Sequence, residues 1–589
     1  MADWLPNGRV APANEESARP RNSDVPFDAV EIEQGHDEVA PPPPVSDTPA
    51  RPNTVATPPQ TGSKRGLLGL LDKYRRLGLT GPLVFAILAA AFGSSFLFGY
   101  NIGVINVPQT LVGKWIRDVK CSRLDNQTAP VADIERWCAP ILPDTPQEEN
   151  MFKDNTELNT IWSTVTSIFC AGGLIGALSS GFFVSRFGRK GTLMMNLVTG
   201  FLAAALLGFP KLAYSFEMLI IGRFVTGLNS GINSGVPPMY FTEISPASLR
   251  GAVGSIHQLF ITIAIWVSQI LGLPFILGTS WGWPWLFGLS VVPCIYQLLT
   301  LPFCPESPKY LYLDKGDEVG AQKALVRLRK SDNVADEMDE MRIEHEKAKS
   351  EAKVTVRDLF ANPFLRKCTI IAMMLMVMQQ FSGINAVMFY STSIFKDCGM
   401  SGNSALYATI GMGGINVLMT VISVILVEKA GRRTLLLVGF AGMAVVTILL
   451  SVFMLLHAAG KCGGQKLTVE ECKGVENMYP WAAYASMVCV MLFVVMFATG
   501  PGSIPWFLVT ELFTQGPRAA ATSIAVGVNW LCNLIVALSF PFIQSAIGEY
   551  TFIVFAVLLV LFVAYTWFKV PETKGKTIEE IQAELRQTL

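Results

Sequence analysis

Runs of about twenty apolar residues, each long enough to cross a bilayer as a helix, recur roughly twelve times along the 589-residue chain. They begin near Pro82, Ile161, Thr192, Phe216, Ala252, Trp285, Cys368, Ala405, Leu435, Trp481, Ala519 and Thr551. The pattern predicts an all-α membrane protein. It breaks once, between the sixth and seventh runs: charged residues dominate from about Pro305 to Arg366, with helical periodicity over Asp317 to Arg329 and again over Ala335 to Ala352. A small helical insert outside the bilayer is therefore expected at 305–366, between a first bundle at 79–304 and a second at 367–570. Residues 571–589 make a short amphipathic end. Residues 1–78 are rich in Pro, Ser, Asp and Glu, show no apolar period, and read as a disordered tail without a signal peptide. Its run Pro41 to Pro44 reads as either a solvated spacer or a ligand for a cytosolic adaptor.

The two halves repeat one another. Arg186-Phe187-Gly188-Arg189-Lys190 follows the second run, and Lys429-Ala430-Gly431-Arg432-Arg433 follows the eighth. Glu243 precedes Arg250 by seven positions, and Glu511 precedes Arg518 by seven. Each half closes on Pro305-Glu306-Ser307-Pro308 or Pro571-Glu572-Thr573. A duplicated membrane unit is the architecture of secondary transporters, in which two bundles rock about a site at their interface.

Composition fits this picture: 51% of residues are hydrophobic, 16% are charged and the mean hydropathy is +0.41, too little polar material to clothe a soluble chain of this length. The 46 basic and 46 acidic residues cancel, but the basic clusters fall after the second, fourth, eighth and tenth runs, always on one side. By the positive-inside rule that side is cytosolic and holds both termini. Cys121 and Cys138 share the first outside loop, and Cys462 and Cys472 the fifth, so two short disulfides are expected there, their connectivity open. Asn126-Gln127-Thr128 is a glycosylation sequon in the same first loop.

Several polar residues lie within apolar runs, where they are costly unless they hydrogen-bond to neighbouring helices or face a ligand; both readings stand from composition alone. Gln258, Ile261 and Ile265 share one face of the fifth run. On the seventh, Gln379 and Asn385 are six positions apart, about 120° around an unbroken helix, so both reach one cavity only if the helix breaks, which Gly383 permits. Asn416 sits on the eighth run, Asn529 and Asn533 on the eleventh. Gly500-Pro501-Gly502-Ser503-Ile504-Pro505 interrupts the tenth run just before Trp506 and reads as a hinge or a static kink.

From about residue 80 to 585 the chain resembles the sugar porters of the major facilitator superfamily, most closely the facilitative glucose transporters. The resemblance is carried by Phe98-Gly99-Tyr100-Asn101, Arg186 to Lys190, Pro305 to Leu311, Gln379-Gln380-Phe381-Ser382-Gly383-Ile384-Asn385-Ala386-Val387 and Pro571 to Gly575. It implies the major facilitator fold: twelve transmembrane helices in two six-helix bundles, with a cytosolic helical insert and alternating access to a central hexose site. It implies that Gln258, Gln379, Gln380, Asn385, Asn416, Asn533 and Trp506 contact the sugar, beside Phe497 and Tyr390 as apolar or gating walls. With the amphipathic and hinge positions above, the candidate substrate set is Gln258, Ile261, Ile265, Gln379, Gln380, Asn385, Asn416, Phe497, Trp506, Asn529 and Asn533. The candidate gating set is Tyr390, Gly500, Pro501 and Pro505, together with Glu243, Arg250, Arg189, Glu428, Arg432, Glu511 and Arg518 as an inner lock at helix ends.

The chain also departs from the pattern. Met376-Val377-Met378 replaces the usual Gln-Leu-Ser, Phe389 replaces a tyrosine, Ala498 and Thr499 stand where an acid is common, and Ser503 where a proline is typical. In proton-coupled sugar porters an Asp follows Phe-Gly-Tyr; here it is Asn101, while its expected partner Arg223 is retained. An amide does not titrate, so the expectation is a plasma-membrane uniporter for D-glucose and related hexoses, with the lipid bilayer and a small hexose as partners. A fructose-preferring carrier and a non-transporting sugar sensor are the alternatives. No enzyme, nucleic-acid partner, cofactor or metal is indicated: only four His occur, and no nucleophile, base and orienting group fall together.

Overall fold

The computed structural model describes residues 78–124, 130–139, 151–152, 154–350, 354–400, 403–460, 477–576 and 578–587, and all regular elements among them are helical. The membrane helices are α1 (Gly81–Gly103), α2 and α3 (the arms of Thr156–Gly208), α4 (Phe216–Ile244), α5 (Arg250–Leu271) and α6 (Trp283–Phe303) in the first half. The second half holds α7 (Pro363–Phe381 and Ile384–Asp397), α8 (Asn403–Ala430), α9 (Arg432–Ala459), α10 (Trp481–Thr499 and Ile504–Glu511), α11 (Gln515–Ile547) and α12 (Thr551–Lys569). Among the described residues nine helical stretches are long and apolar enough to cross a membrane; two of them, 53 and 54 residues long, are double crossings that reverse at Gly188 and near Gly548. The remaining helix, α4, has 29 residues and carries Pro237 and Pro238. Its lower apolarity has a visible cause: Asn229 and Asn233 bond to Asn196 of α3, so its polar groups are met inside the bundle.

The sequence repeat becomes a structural one. Gly188 (φ 80°) and Gly431 (φ 91°) hold left-handed backbone that a β-carbon would strain, which turns the chain sharply into α3 and α9. Neither glycine has a side chain to cap the new helix, so a carboxylate from a distant segment does so. Glu306 accepts from the amides of Arg189 (3.1 Å) and Lys190 (3.0 Å), and Glu572 from those of Arg432 (2.9 Å) and Arg433 (3.1 Å). The next residue, Ser307 or Thr573, donates its hydroxyl to Glu243 or Glu511. Those acids pair in turn with Arg189 (2.9 Å) and Arg432 (3.1 Å).

The insert contributes helices Glu318–Arg329, Ala335–Ser350 and Val356–Ala361. It is fastened to α4 by Arg329, which donates to the Ile244 carbonyl (2.9 Å) and pairs with Glu337 (2.7 Å). At the opposite end, helices Gln109–Ser122 and Val131–Cys138 are joined by the Cys121–Cys138 disulfide. Ion pairs Lys120–Glu157 and Arg123–Glu217 hold this cap to the starts of α2 and α4. Cys462, Cys472 and the sequon residue Asn126 lie outside the described residues.

The two halves meet where α11 packs on α2 and α8 on α5. Both crossings use a tryptophan against glycine: a β-carbon at Gly173 of α2 would overlap Trp530 of α11, and one at Gly413 of α8 would come 3.0 Å from Trp266 of α5. The indole rings seated on these two glycines frame the space between the halves.

Candidate functional site

A cavity of about 220 Å³ lies between the halves. All eleven candidate substrate residues line it: Gln258, Ile261 and Ile265 from α5, Gln379, Gln380 and Asn385 from α7, Asn416 from α8, Phe497 and Trp506 from α10, Asn529 and Asn533 from α11. No Asp, Glu, Lys or Arg is among the lining residues. The cavity therefore offers neutral donors and acceptors between apolar walls, a chemistry suited to a polyhydroxylated, uncharged molecule.

Two broken helices build it. In α7 the helix stops after Phe381, Gly383 takes φ 93°, and a second helix starts at Ile384, which brings Gln379 and Asn385 to the same space. In α10 the break spans Gly500 to Ser503, and the freed Pro501 and Gly502 carbonyls accept from Gln379 Nε2 at 2.8 and 2.9 Å. Gln379 Oε1 accepts from Asn529 Nδ2 (2.8 Å). Every polar atom of Gln379 is thus engaged by protein, making it a strut across α7, α10 and α11. Asn385 Nδ2 donates to Gln380 Oε1. By contrast, the side chains of Gln258, Asn416 and Trp506 make no hydrogen bond to protein among the described residues, so their polar atoms are available to an occupant.

The candidate gating residues separate into distinct places. Tyr390 lies at a kink in α7 (φ −126°), buried, stacked on Phe540 with ring centroids 5.3 Å apart, its hydroxyl donating to the Ala537 carbonyl (3.1 Å). Gly500 and Pro501 lie in the α10 break, and Pro505 sits in the first turn of the helix that follows it. Among the described residues Arg189–Glu243 and Arg432–Glu511 pair within each half, each acid bonded by the arginine of its own repeat. Arg189 also holds Asp314 (2.7 Å), and Arg250 turns to Glu340 of the insert (3.9 Å) rather than to Glu243. Arg518 donates to the Phe513 carbonyl (3.0 Å). The side chain of Glu428 lies outside the described residues.

At the end opposite the insert, hydrogen bonds close the interface. Asn106, after α1, donates to the Met388 carbonyl (2.8 Å) and accepts from the Thr392 amide (3.1 Å) of α7, and Asn159 of α2 donates to Ser545 of α11 (3.2 Å).

Arg223 is fully buried. It donates to the backbone carbonyls of Asn101 (2.9 Å) and Val165 (3.3 Å) and lies 4.6 Å over the Phe169 ring. Among the described residues no carboxylate pairs with it, and the Asn101 amide donates to the Leu97 carbonyl instead (2.9 Å).

The cavity has further lining residues that the sequence pattern does not single out, among them His257, Thr262 and an aromatic wall of Phe98, Phe169 and Trp530. Trp530 lies 5.9 Å from Phe98 and 5.8 Å from Phe169. Aromatics in apolar runs carry no signal that separates a cavity wall from a helix contact. His257, adjacent to Gln258, carried one: an imidazole in an apolar run is as costly there as an amide.

The chain matches the protein family described as "Sugar (and other) transporter" over residues 86–585. It is 43% identical over 509 residues to "Solute carrier family 2, facilitated glucose transporter member 1" of Gallus gallus, covering 86% of this chain and 94% of that one. It is likewise 43% identical over 518 residues to "Solute carrier family 2, facilitated glucose transporter member 2" of Sus scrofa, covering 86% and 95%. Among solved structures, a proton:xylose symporter of the major facilitator superfamily, bound to 6-bromo-6-deoxy-D-glucose, shares the fold with a TM-score of 0.65 at 24% identity, over 85% of this chain and 99% of that one. With twelve membrane helices in two repeated bundles and an uncharged cavity between them, this chain belongs to the sugar transporter family.

Proposed function

We propose that the chain is a facilitative hexose uniporter that moves D-glucose and related hexoses across the plasma membrane by alternating access, without proton coupling. The uncharged, amide-lined cavity between the halves carries this reading. Sugar hydroxyls both donate and accept, as do amides, and the indole of Trp506 offers an apolar face to the C–H surface of a pyranose. The two relatives are named as facilitated glucose transporters, and the clusters of basic residues support an insert and termini in the cytosol. On that orientation the closed end, with Asn106 and the disulfide, faces outside. Gln258, Asn416 and Trp506 hold the sugar, Gln380, Asn385, Asn529 and Asn533 complete the amide ring, and the breaks in α7 and α10 let the walls move.

Uniport is supported at Asn101 and Arg223. A proton symporter needs a group in the membrane that gains and loses charge, and neither an amide nor a guanidinium does so in the working range. Labelled D-glucose flux into proteoliposomes tests the whole reading. Uptake is expected to differ little between outside pH ~5.5 and ~7.5, the range in which a histidine-like switch titrates. Glucose-dependent acidification of the vesicle lumen overturns uniport, and absence of any hexose flux in correctly inserted protein overturns transport.

A further inference from the structure

We infer that His257 is a further sugar-contacting residue, oriented by Ser95; the inference rests on the hexose-carrier reading above. The starting observation is local. Residues Ala91–Phe96 of α1 form a π-helical turn, a geometry that occurs mostly as short insertions and often at functional sites. The turn presents two successive, fully buried serines to two different helices. Ser94 Oγ accepts from Gln297 Nε2 of α6 at 2.7 Å, and Ser95 Oγ lies 2.7 Å from His257 Nδ1 of α5.

His257 lines the cavity beside Gln258 and is only half-buried. Nδ1 is fastened to Ser95, so Nε2 is the ring atom left to the cavity, and among the described residues it has no protein partner. The serine hydroxyl rotates. When it donates to Nδ1, Nε2 carries the proton and donates into the cavity; when it accepts from Nδ1, Nε2 accepts. Either way one polar atom is aimed, from a rigid ring held at its far side, at a position a sugar hydroxyl can occupy. No carboxylate or cation lines the cavity to compete for the imidazole. Ser95 touches no part of the cavity and acts through the ring, as a positioning residue.

The test is zero-trans uptake by the full chain in proteoliposomes, with D-glucose and each monodeoxy-D-glucose as substrates for the wild type, His257→Leu, His257→Gln and Ser95→Ala. His257→Leu is expected to raise KM for D-glucose about tenfold, the size of one lost hydrogen bond. For the analogue lacking the contacted hydroxyl the KM of wild type and variant should coincide. Ser95→Ala should give the same analogue fingerprint at about threefold, and His257→Gln should restore much of the loss. An unchanged KM in His257→Leu, or an equal loss across all analogues, overturns the assignment and leaves His257 as a helix contact. If His257→Leu does not reach the membrane, a flat analogue profile in Ser95→Ala overturns it instead. Wild-type protein that carries no hexose at all is a different result and removes the carrier reading itself.

Discussion

Two glutamines on the cavity wall look equivalent in sequence and differ in what they touch. Gln258 has no protein partner among the described residues, whereas Gln379 donates to two carbonyls released by the break in α10 and accepts from Asn529. Gln258→Leu is expected to lower kcat/KM for glucose by about two- to tenfold per lost sugar hydrogen bond, from ~0.5–1.5 kcal/mol each, with Tm unchanged. Gln379→Leu takes from the Pro501 and Gly502 carbonyls the only side chain that bonds them among the described residues, at about 1–3 kcal/mol apiece, and should lower both transport and Tm. Uptake kinetics and thermal unfolding of the two purified variants separate the roles; equal Tm losses would show that Gln258 is also a strut.

At the scale of elements, the repeated capping explains why a Pro-Glu-Ser/Thr segment follows the last helix of each half. Glu306 and Glu572 supply to the starts of α3 and α9 the acceptor that Gly188 and Gly431 lack. Glu306→Ala and Glu572→Ala should each destabilise the protein by about 1–3 kcal/mol, seen as a lower Tm in detergent, because several helix-start amides lose a charged acceptor together. Unchanged unfolding in both would show that solvent caps these helices equally well. The α5–α8 crossing carries an opposite imbalance. Gln269 is fully buried against Gly413, and among the described residues neither of its amide atoms has a protein partner. Gln269→Met keeps the volume and removes two buried polar atoms, so it should raise Tm. A fall in Tm would mean that the amide is satisfied in the folded protein.

For the whole molecule, the state captured is one in which the end opposite the insert is closed, with Asn106 bridging α1 to α7. Closure and opening compete as two packings of the same bundles, so a single bridging side chain can move the balance by its differential contacts. Asn106→Ala removes bonds that bridge the two halves at this end. The expected result is a larger fraction of molecules accessible to an impermeant label applied on the side of that end, by about five- to tenfold for ~1–1.4 kcal/mol. Accessibility that does not rise would place the closing energy elsewhere, as in the α2–α11 contact of Asn159 and Ser545.

The sequence by itself determined the membrane class, the two repeated bundles, the insert and the positions of the amides, because each rests on a local property: twenty-residue apolar runs, charge at their ends, and polar groups in a medium that penalises them. It also located both helix breaks, since Gly383 and the Gly500–Pro505 segment carry their backbone consequences with them. The tertiary structure alone decided which amides are free and which are struts, that Arg250 turns to the insert while Arg189 and Arg432 keep their own acids, and that Trp530, Phe98 and His257 reach the cavity. Those facts depend on which residues from distant runs arrive at the same depth and face. Apolar periodicity records that a side chain is buried against something, and contains no information about what.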